Sequence, residues 1–428
     1  MNYNVRQIQI NKRSLPQWLS LGVFAFPFLL SFFMDFLQFP SFTKYTIDLM
    51  LLGMAIVLFF SKQLKVKKTI TPIFILVVVW LLYVTVVYIF NYQSIFYFLW
   101  GLRNNFRFYV VFIAFATFLE KDDVELSFKF VDCVFWINFI VTLYQFFLLG
   151  YQQDYLGGIF GVERGCNAYT SILFAVVVTK SLLNYFEGNE KTGICLLKCG
   201  ASLIIAAMAE LKFYFILFVV MVVASMSMTK FSWKKLVIFV STAALISFAG
   251  SILTVLFGSN DEMTIQRIIE LVTSENYATG EDLGRFTAIP TISKSILTEW
   301  NGRLFGMGLG NCDTSAFAIC NTPFYQLHEN LHYSWFSSAF LFLETGYIGL
   351  TLNLSFYIVV MIRAIKKLKQ GRNDKLYCRM GIVFSVLCLV LTFYNSALRK
   401  EVGYIAYFIL SIPFISNDEG ERRKMERI

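Results

Sequence analysis

The sequence predicts an all-α fold, a polytopic membrane helix bundle of about 12 transmembrane helices with one large extracytoplasmic loop. Three observations support this fold class. Hydrophobic residues make up 57% of the 428 residues and charged residues only 15%, against roughly 25% charge in a soluble domain. Apolar runs long enough to cross a bilayer recur along the chain. One long polar segment, from Ser259 to Leu327, interrupts them.

Apolar runs that do not alternate with polar residues predict helices, because backbone groups in lipid must be hydrogen-bonded within the protein. The predicted spans are Trp18–Phe36, Ile47–Phe60, Ile70–Phe90, Phe106–Leu119, Val131–Leu149, Tyr169–Tyr185, Ile194–Ala209, Phe213–Met228, Leu236–Phe257, Tyr347–Ile362, Met380–Tyr394 and Tyr404–Ile415. The chain therefore divides into three parts. Residues 1–258 hold the first nine spans, residues 259–346 the large loop with an amphipathic helix, and residues 347–428 the last three spans and a cytoplasmic tail.

The distribution of Lys and Arg predicts which side each loop faces. Short loops rich in these residues lie in the cytoplasm, and the richest runs from Arg363 to Lys375. With an even number of spans, both termini lie in the cytoplasm of a multi-pass protein of the cell (inner) membrane, and the long polar segment lies outside. Arg399 and Lys400, in the last outer loop, are a mild exception. The net charge of +9 thus reflects orientation in the membrane, and nucleic-acid binding is not expected.

The stretch from His328 to Glu344 is apolar with a helical pattern, and Thr345 and Gly346 end it. Counting it as a span would place the basic C-terminal tail outside. We therefore predict an amphipathic or re-entrant helix at the outer surface.

This stretch begins with His328, Glu329, Asn330, Leu331 and His332, which fit the zinc-protease pattern H-E-x-x-H. In that pattern two His one helical turn apart bind the metal and the Glu acts as base. Two alternatives remain open: a polar helix start that faces solvent, and a metal-free role in catalysis.

Cations in the predicted outer segments form the second candidate feature. Arg and Lys bind diphosphates through charge, and Arg adds forked hydrogen bonds. A single interfacial Arg more often extends to lipid headgroups, but several that converge on one polar segment favour a site for an anionic lipid-linked substrate. The candidates are Arg103, Arg107, Arg164, Lys212, Arg285 and Arg303.

Two further features of the polar segment have structural interpretations. Gly306, Gly308 and Gly310 lie outside any strand–helix unit, so they predict tight turns or the close approach of a ligand and not nucleotide binding. Cys312 and Cys320 form a disulfide if their side of the membrane is oxidising and their geometry permits it, and free thiols are the alternative.

The order of these motifs resembles the O-antigen ligase and Wzy-type polysaccharide polymerase family. Gly284-Arg285 comes first, followed by LFGMGLGN at 304–311, a His-bearing helix start, and LETGYIGL at 343–350. The outer loop at 158–167 is similar to the mid-chain loop of that family. The resemblance covers most of the chain in architecture and mainly residues 285–350 in motifs.

The resemblance implies a membrane glycosyltransferase with no metal and no cofactor. Such an enzyme transfers a glycan from undecaprenyl diphosphate to a hydroxyl at the outer face of the cytoplasmic membrane. The acceptor is a lipid-linked repeat unit in a polymerase of capsule or O-antigen and a terminal acceptor in a ligase, and we favour the polymerase. The implied partners are the lipid-linked oligosaccharide, the bilayer, a chain-length regulator and a flippase.

The resemblance also implies roles for individual residues. Since no metal neutralises the departing diphosphate, cations must do so, and the acceptor hydroxyl needs a base near neutral pH. By position, essential arginines of the family match Arg164 and Arg285. The other expected diphosphate-binding residues, Lys212 and Arg303, are outer cations of this chain. The expected catalytic residues are His328, His332, Glu329 and Arg285.

Two departures from the family pattern leave assignments open. Many members have Ser-Arg-Gly at an outer turn where this chain has Glu210-Leu211-Lys212, and a Lys lacks the forked geometry of Arg. Many have His followed directly by Asn, whereas Glu329 intervenes here, so the equivalent His is undetermined. A transporter of lipid-linked glycans and a zinc protease are the alternative functions.

Overall fold

The computed structural model describes residues 13–60, 69–229, 233–257, 282–315, 317–371 and 374–415. Within these ranges the chain forms fifteen α-helices joined by short turns and loops, with no β-strand, so the all-α prediction is confirmed. The helices are α1 Leu15–Ser31, α2 Thr46–Phe60, α3 Thr71–Phe90, α4 Ile95–Phe118, α5 Lys121–Phe147, α6 Asn167–Glu187, α7 Thr192–Met208, α8 Lys212–Ser227, α9 Trp233–Phe257, α10 Ala288–Ser295, α11 Trp300–Phe305, α12 Pro323–His328, α13 Ser337–Gln370, α14 Lys375–Tyr394 and α15 Gly403–Ser411. The beginning of the predicted outer loop, before residue 282, and the tail after residue 415 lie outside the described residues.

Seven helical segments in the described part of the chain are long and apolar enough to cross a membrane. They are Leu15–Met34, Phe42–Phe60, Thr71–Phe90, Lys121–Phe147, Asn167–Glu187, Ser337–Gln370 and Lys375–Tyr394. Shorter apolar helices cover Thr192–Met208, Lys212–Ser227, Val240–Leu256 and Gly403–Phe414. The chain is thus compatible with a multi-pass membrane protein, while the count of twelve and the side on which the long loop lies stay predictions.

The fourth predicted span, Phe106–Leu119, belongs to a longer helix in the structure. α4 begins well before it and includes Arg103 and Arg107. Arg103 donates two hydrogen bonds to Asp48, from Nε at 3.1 Å and from Nη2 at 2.8 Å. Arg107 Nη1 lies 3.4 Å from a carboxylate oxygen of Glu401. Because each charge has an acidic partner, its burial costs less and the helix continues through both arginines.

The helices at the centre of the bundle bury a larger share of their residues than those at its periphery. In α6, 78% of the most apolar window is buried, against 22% in α3. An aromatic cluster joins α4, α13 and α15 near the centre: the ring of Phe356 lies 4.8 Å from that of Tyr109 and 5.6 Å from that of Tyr407. α3 instead exposes apolar side chains such as Leu82 and Phe90, which suits contact with lipid.

The glycine-rich segment 306–310 packs its backbone directly against two helices. The amides of residues 307 and 308 donate to the carbonyls of residues 343 and 344, at 2.8 and 2.9 Å. A Cβ added at Gly310 (φ 88°) would lie 1.9 Å from the carbonyl oxygen of Tyr97 on α4. A Cβ added at Gly346 (φ 62°) would lie 2.3 Å from the carbonyl carbon of Leu304. These glycines therefore permit close packing of backbone on backbone.

The predicted helix from His328 to Glu344 is wrong in its first half. α12 ends at His328, and His332 adopts a left-handed conformation, with φ 50° and ψ 27°. A residue in this region cannot continue a right-handed helix. α13 begins only after a further short turn, and Gly346 breaks it next to the predicted start of the tenth span.

Cys312 and Cys320 are both free and buried in the structure, so the free-thiol alternative applies. The Cys312 sulfur contacts the sulfur of Met307 at 3.8 Å. Burial raises the pKa of the Cys312 thiol, which makes this side chain a packing residue and a poor nucleophile.

Candidate functional site

A cavity of about 860 Å³ lies at one end of the helix bundle. Its walls come from the end of α1, the first half of α4, the loops before α6, α8 and α15, and the segment before α13. The charged side chains that line it are Lys44, Arg103, Arg107, Arg164, Arg285, Arg399 and Lys400, with Asp154, Glu163, Glu210, Asp313 and Glu401. Cations outnumber carboxylates in a confined space, which favours an anionic ligand.

Arg164 lies in the loop between α5 and α6, and its side chain is 65% exposed. Its guanidinium carbon is 5.5 Å from the ring centre of Trp335. Its Nε lies 4.0 Å from a carboxylate oxygen of Asp154, whose other oxygen accepts a hydrogen bond from Asn167 at 3.2 Å. An exposed ion pair at this distance contributes little, so the guanidinium keeps donors for a ligand.

Arg285 lies just before α10 and is half-buried. Its Nη1 donates to the carbonyl oxygen of Tyr394 at 3.0 Å, and its guanidinium carbon is 3.9 Å from the centre of the Tyr394 ring. The ring of Phe336 lies further away, at 5.7 Å. Stacking and one backbone hydrogen bond thus hold this guanidinium in place at the cavity wall.

Arg399 lies in the loop between α14 and α15, with its guanidinium carbon 3.2 Å from the ring centre of Phe340. Its Nε is buried, and no hydrogen bond reaches that atom from the residues that the structure describes. Burial lowers the pKa of this guanidinium, while the nearby charges of Asp313 and Glu344 raise it. An arginine stays protonated in any such setting, so Arg399 presents positive charge to the cavity.

Arg164, Arg285 and Arg399 come from separate parts of the chain, yet their guanidinium carbons lie 5.5, 5.7 and 3.2 Å from the centres of aromatic rings within residues 335–340. We call these three arginines the arginine wall. A guanidinium whose face is covered by a ring still presents its N–H edge, and that edge binds phosphate oxygens in pairs. The wall therefore has the chemistry of a diphosphate-binding surface.

Arg107 holds the loop that carries Arg399. It is only 7% exposed, and its Nη2 donates to the Arg399 carbonyl at 3.1 Å while Nη1 pairs with Glu401. Burial alone would raise the pKa of Glu401, but the charges of Arg107 and Lys400 outweigh this effect and lower it. Glu401 thus stays ionised and keeps Arg107 engaged with the loop.

Two of the four predicted diphosphate-binding residues, both in the arginine wall, line the cavity, and the other two do not. Lys212 Nζ lies 3.0 Å from a carboxylate oxygen of Glu210, which does line the cavity. Arg303 Nε donates to the carbonyl of Leu297 at 2.9 Å, next to α11. Lys212 is thus one side chain removed from the cavity, and Arg303 stabilises the backbone near α11.

The predicted bases lie just outside the cavity lining. The His332 ring lies 4.0 Å from that of Trp335, which lines the cavity. Glu329 accepts a hydrogen bond of 2.9 Å from the hydroxyl of Tyr325, another lining residue. Burial, followed by this hydrogen bond, raises the pKa of Tyr325 to about 12. His328 packs on a different aromatic ring, at 4.6 Å, and has no such link to the cavity.

The H-E-x-x-H motif does not have the geometry of a zinc site. Because His332 is left-handed, it does not follow His328 by one turn on a continuous helix. The two imidazoles also pack on different aromatic side chains. Among the described residues, no group of three or more His, Cys, Asp or Glu is arranged to hold a metal ion.

The sequence did not assign Arg399, Lys400 or Glu401 to the site. The signal was present, because two cations in an outer loop contradict the usual charge bias of membrane proteins. A cation on the unfavoured side indicates a role other than orientation. What the sequence could not reveal is that Arg107, far away along the chain, anchors this loop.

Comparison with known protein families finds no family model that matches the chain, and comparison with curated proteins finds no match either.

Proposed function

We propose that this protein transfers a glycan from a polyprenyl diphosphate of the undecaprenyl type to a hydroxyl acceptor at the outer face of a cytoplasmic membrane. The arginine wall carries the proposal: three guanidinium groups from distant parts of the chain lie near one aromatic stretch and line one cavity. The motif order at 285–350 supports the same reaction class.

The arrangement of the helices supports twelve membrane crossings, by α1–α9 and α13–α15. α1 and α14 end at residues that line the cavity, whereas α2, α6, α8, α13 and α15 begin beside such residues. At the opposite end, ion pairs join Lys121 to Asp374 and Glu187 to Arg379, near the other ends of α5, α6 and α14. Consecutive helices thus alternate in direction, and the charge bias of the loops favours an outer cavity.

The proposed reaction needs charge neutralisation more than any other assistance. The oxygen of the acceptor hydroxyl attacks the anomeric carbon of the donor sugar and forms the new C–O bond. The bond from that carbon to the diphosphate oxygen breaks, and the diphosphate leaves with the electron pair. Guanidinium groups fixed in advance at the diphosphate stabilise this developing charge, and we assign that role to Arg285, Arg164 and Arg399.

The proton of the acceptor hydroxyl must pass to a base, and the observed geometry favours His332 over His328. His332 packs on the ring of Trp335, and the guanidinium of Arg164 contacts the same ring. Its left-handed backbone costs free energy, and such strain in a non-glycine residue is common at functional sites. Its Nδ1 is buried, with no hydrogen bond from the described residues. A ring nitrogen without a partner among these residues is a candidate proton acceptor.

Apolar side chains at the cavity suit the lipid part of the donor. Leu30 and Met34, near the end of α1, and Leu217 on α8 line it together with the charged residues. A polyprenyl chain could therefore lie against these helices with its diphosphate at the arginine wall. We favour a polymerase, in which the acceptor is a second lipid-linked unit, with a ligase as the alternative. A chain-length regulator and a flippase are expected partners of a polymerase.

The proposal is tested by incubating the purified protein with a polyprenyl-diphosphate oligosaccharide and measuring longer glycans and released polyprenyl diphosphate. We expect product from the wild-type protein. We expect Arg285→Ala to lower the rate about 100-fold or more, because one fixed donor to the leaving group is lost. Arg363→Ala is the matched control, since this residue lies in the half of α13 beyond the Gly346 break and does not line the cavity.

A folded Arg285→Ala protein with the wild-type rate would contradict the proposal, as would the absence of any product from the wild-type protein. In the same assay His332→Gln should lower the maximal rate more than His328→Gln. Equal effects of these two substitutions would remove the basis for choosing His332.

A further inference from the structure

Three aromatic side chains from separate segments meet where α4 and the segment before α2 border the cavity. The Tyr45 ring lies 6.5 Å from that of Trp100 and 5.4 Å from that of Phe317, and the latter two rings are 5.9 Å apart. Tyr45 and Trp100 line the cavity, and Phe317 is 50% exposed. Because this aromatic surface borders the cavity, it is available for contact with a ligand that enters the cavity.

The charge around this cluster is largely compensated, in contrast with the arginine wall. Arg103 lies over Trp100 and Tyr45, at 5.0 and 5.6 Å, but its guanidinium forms the forked pair with Asp48. Lys44, 5.3 Å from the Tyr45 ring centre, is the other cation here. Since Arg103 already has a carboxylate partner, this part of the cavity is a poorer site for a diphosphate and a better one for a less charged group.

Polar groups border the aromatic rings and are held in fixed positions. Asn104 Nδ2 donates to Asp313 Oδ2 at 2.6 Å, and Asp313 Oδ1 accepts from the Thr314 amide at 2.9 Å. The hydroxyl of Thr314 donates to Asn321 Oδ1 at 3.0 Å. The backbone carbonyl of Thr314 accepts a hydrogen bond from Trp100 Nε1 at 3.4 Å. Asn104, Asp313 and Thr314 all line the cavity, so amide, carboxylate and hydroxyl groups lie beside the exposed rings.

Aromatic faces bordered by fixed polar groups match the chemistry of a sugar ring. The C–H bonds on one side of a pyranose present slightly positive hydrogens, which are attracted to the negative face of an aromatic ring. The hydroxyl groups at the edge of the sugar need donors and acceptors in defined directions, which a few fixed polar side chains provide. A polyprenyl chain would pack on the rings but has no use for the fixed polar groups, and a diphosphate would meet the carboxylate of Asp313.

We propose that Tyr45, Trp100 and Phe317, with Asn104 and Asp313 at their edge, bind the glycan part of the lipid-linked substrate. This inference rests on the proposed function and deepens it, because it divides one substrate between two surfaces of the same cavity. The arginine wall takes the diphosphate, and the aromatic surface takes a sugar ring further along the chain. The substrate is therefore selected by its glycan and not by its lipid diphosphate alone.

The test compares two probes on the detergent-purified full-length protein. One probe is undecaprenyl diphosphate without sugar, and the other is the lipid-linked oligosaccharide extracted from source cells that lack this protein. We expect Trp100→Ala to weaken binding of the sugar-bearing probe about tenfold, a typical loss for one well-packed aromatic contact, and to leave binding of the sugar-free probe unchanged. Arg285→Ala should weaken binding of both probes.

Two controls separate a local effect from misfolding. Trp100→Phe keeps an aromatic face and should retain most of the affinity for the sugar-bearing probe. Trp300→Ala removes a Trp that is 74% exposed on α11 and does not line the cavity, so it should bind both probes like the wild-type protein.

The outcomes distinguish this inference from the proposed function. If the wild-type protein binds both probes and Trp100→Ala binds the sugar-bearing probe normally, the sugar-binding surface is wrong while the proposed function stands. If the wild-type protein binds neither probe, both are wrong. If Trp100→Ala weakens both probes equally, the aromatic cluster supports the whole cavity and has no specific role toward the sugar.

Discussion

Positively charged side chains are used differently at the two ends of the helix bundle. Away from the cavity they pair with carboxylates on neighbouring helices: Arg13 Nε lies 2.7 Å from an oxygen of Asp123, and Lys198 Nζ lies 3.3 Å from an oxygen of Asp132. At the cavity, Arg399 stacks on an aromatic ring at 3.2 Å and forms no ion pair within 4 Å in the described part of the chain. Arg103 and Arg107 also pair with carboxylates at the cavity, so the contrast lies in Arg399, whose charge has no direct carboxylate partner among the described residues.

The difference teaches how to recognise a functional arginine in a membrane protein. A cation with a carboxylate partner has its charge compensated, and its contribution is structural. A cation held by a ring face is fixed in position while its N–H edge stays open. The paired cations of the other end lie far from the cavity. Lys180, which pairs with Asp132, is 13 residues along α6 from the cavity-lining Asn167, and this corresponds to roughly 20 Å at the helical rise per residue.

The largest effect should come from Arg399→Ala. We expect the transfer rate to fall about 100-fold or more, because the substitution removes a fixed donor at the proposed leaving group. The unfolding temperature should fall by only about 2–4 °C, because the substitution removes the packing on Phe340 and a charge near Asp313 and Glu344 but no direct ion pair among the described residues. Arg399→Lys should restore only part of the rate, because an ammonium lacks the fork. A large loss of stability in Arg399→Ala would make this arginine structural and break the comparison.

At the end of the bundle away from the cavity, Asp132→Ala should lower stability without lowering the transfer rate. This substitution leaves Lys180 and Lys198 without their shared carboxylate, and the free energy of unfolding should fall by about 2 kcal/mol, discounted for the partial exposure of the pair. The rate per folded molecule should stay within about twofold of the wild type.

Asp122→Ala is the matched control for Asp132→Ala, because Asp122 is exposed on the same helix and forms no ion pair with the described residues. Because Asp122 lies in the first turn of α5, its unfolding free energy should fall by no more than about 0.3–1 kcal/mol, clearly less than in Asp132→Ala. If Asp132→Ala instead lowered the rate at unchanged stability, the charges at this end would have a functional role and the contrast would fail.

The smallest effect concerns the pair between Arg107 and Glu401. The charges around Glu401 lower its folded pKa below the ordinary value of 4.5, against the effect of burial. Such a carboxylate stabilises the fold above its unfolded pKa, and this stabilisation is lost as the pH falls through the folded pKa. Glu401→Gln should therefore cost about 1 kcal/mol at pH 7, and the difference from the wild type should shrink once the pH drops below 4.5. Unfolding curves at several pH values would show a constant difference if the pair had no electrostatic role.

The sequence predicted the part of the site that depends on local features. Arg164 and Arg285 were identified from their segments and line one cavity. The helical prediction around His332 was wrong, because apolar spacing does not reveal a left-handed residue that ends a helix. Arg399 was noticed only as a charge on the unfavoured side of the membrane.

The contacts that define the site could not be predicted because they join distant residues. Arg164 meets Trp335, and Arg107 holds the loop of Glu401, only once the bundle has formed. Spacing along the chain carries no information about such pairs. The fold class was predictable, since a chain this apolar must satisfy its backbone hydrogen bonds locally and so forms helices.

The absence of a side chain at Gly310 has a consequence for the shape of the cavity. Because the Tyr97 carbonyl lies where a Cβ would stand, any side chain at this position would push the segment that carries Asp313 away from α4. A contact between two backbones therefore sets the width of the cavity beside α4. If the proposed function is right, a substitution at Gly310 would change the size of sugar that the cavity admits and leave the arginine wall in place.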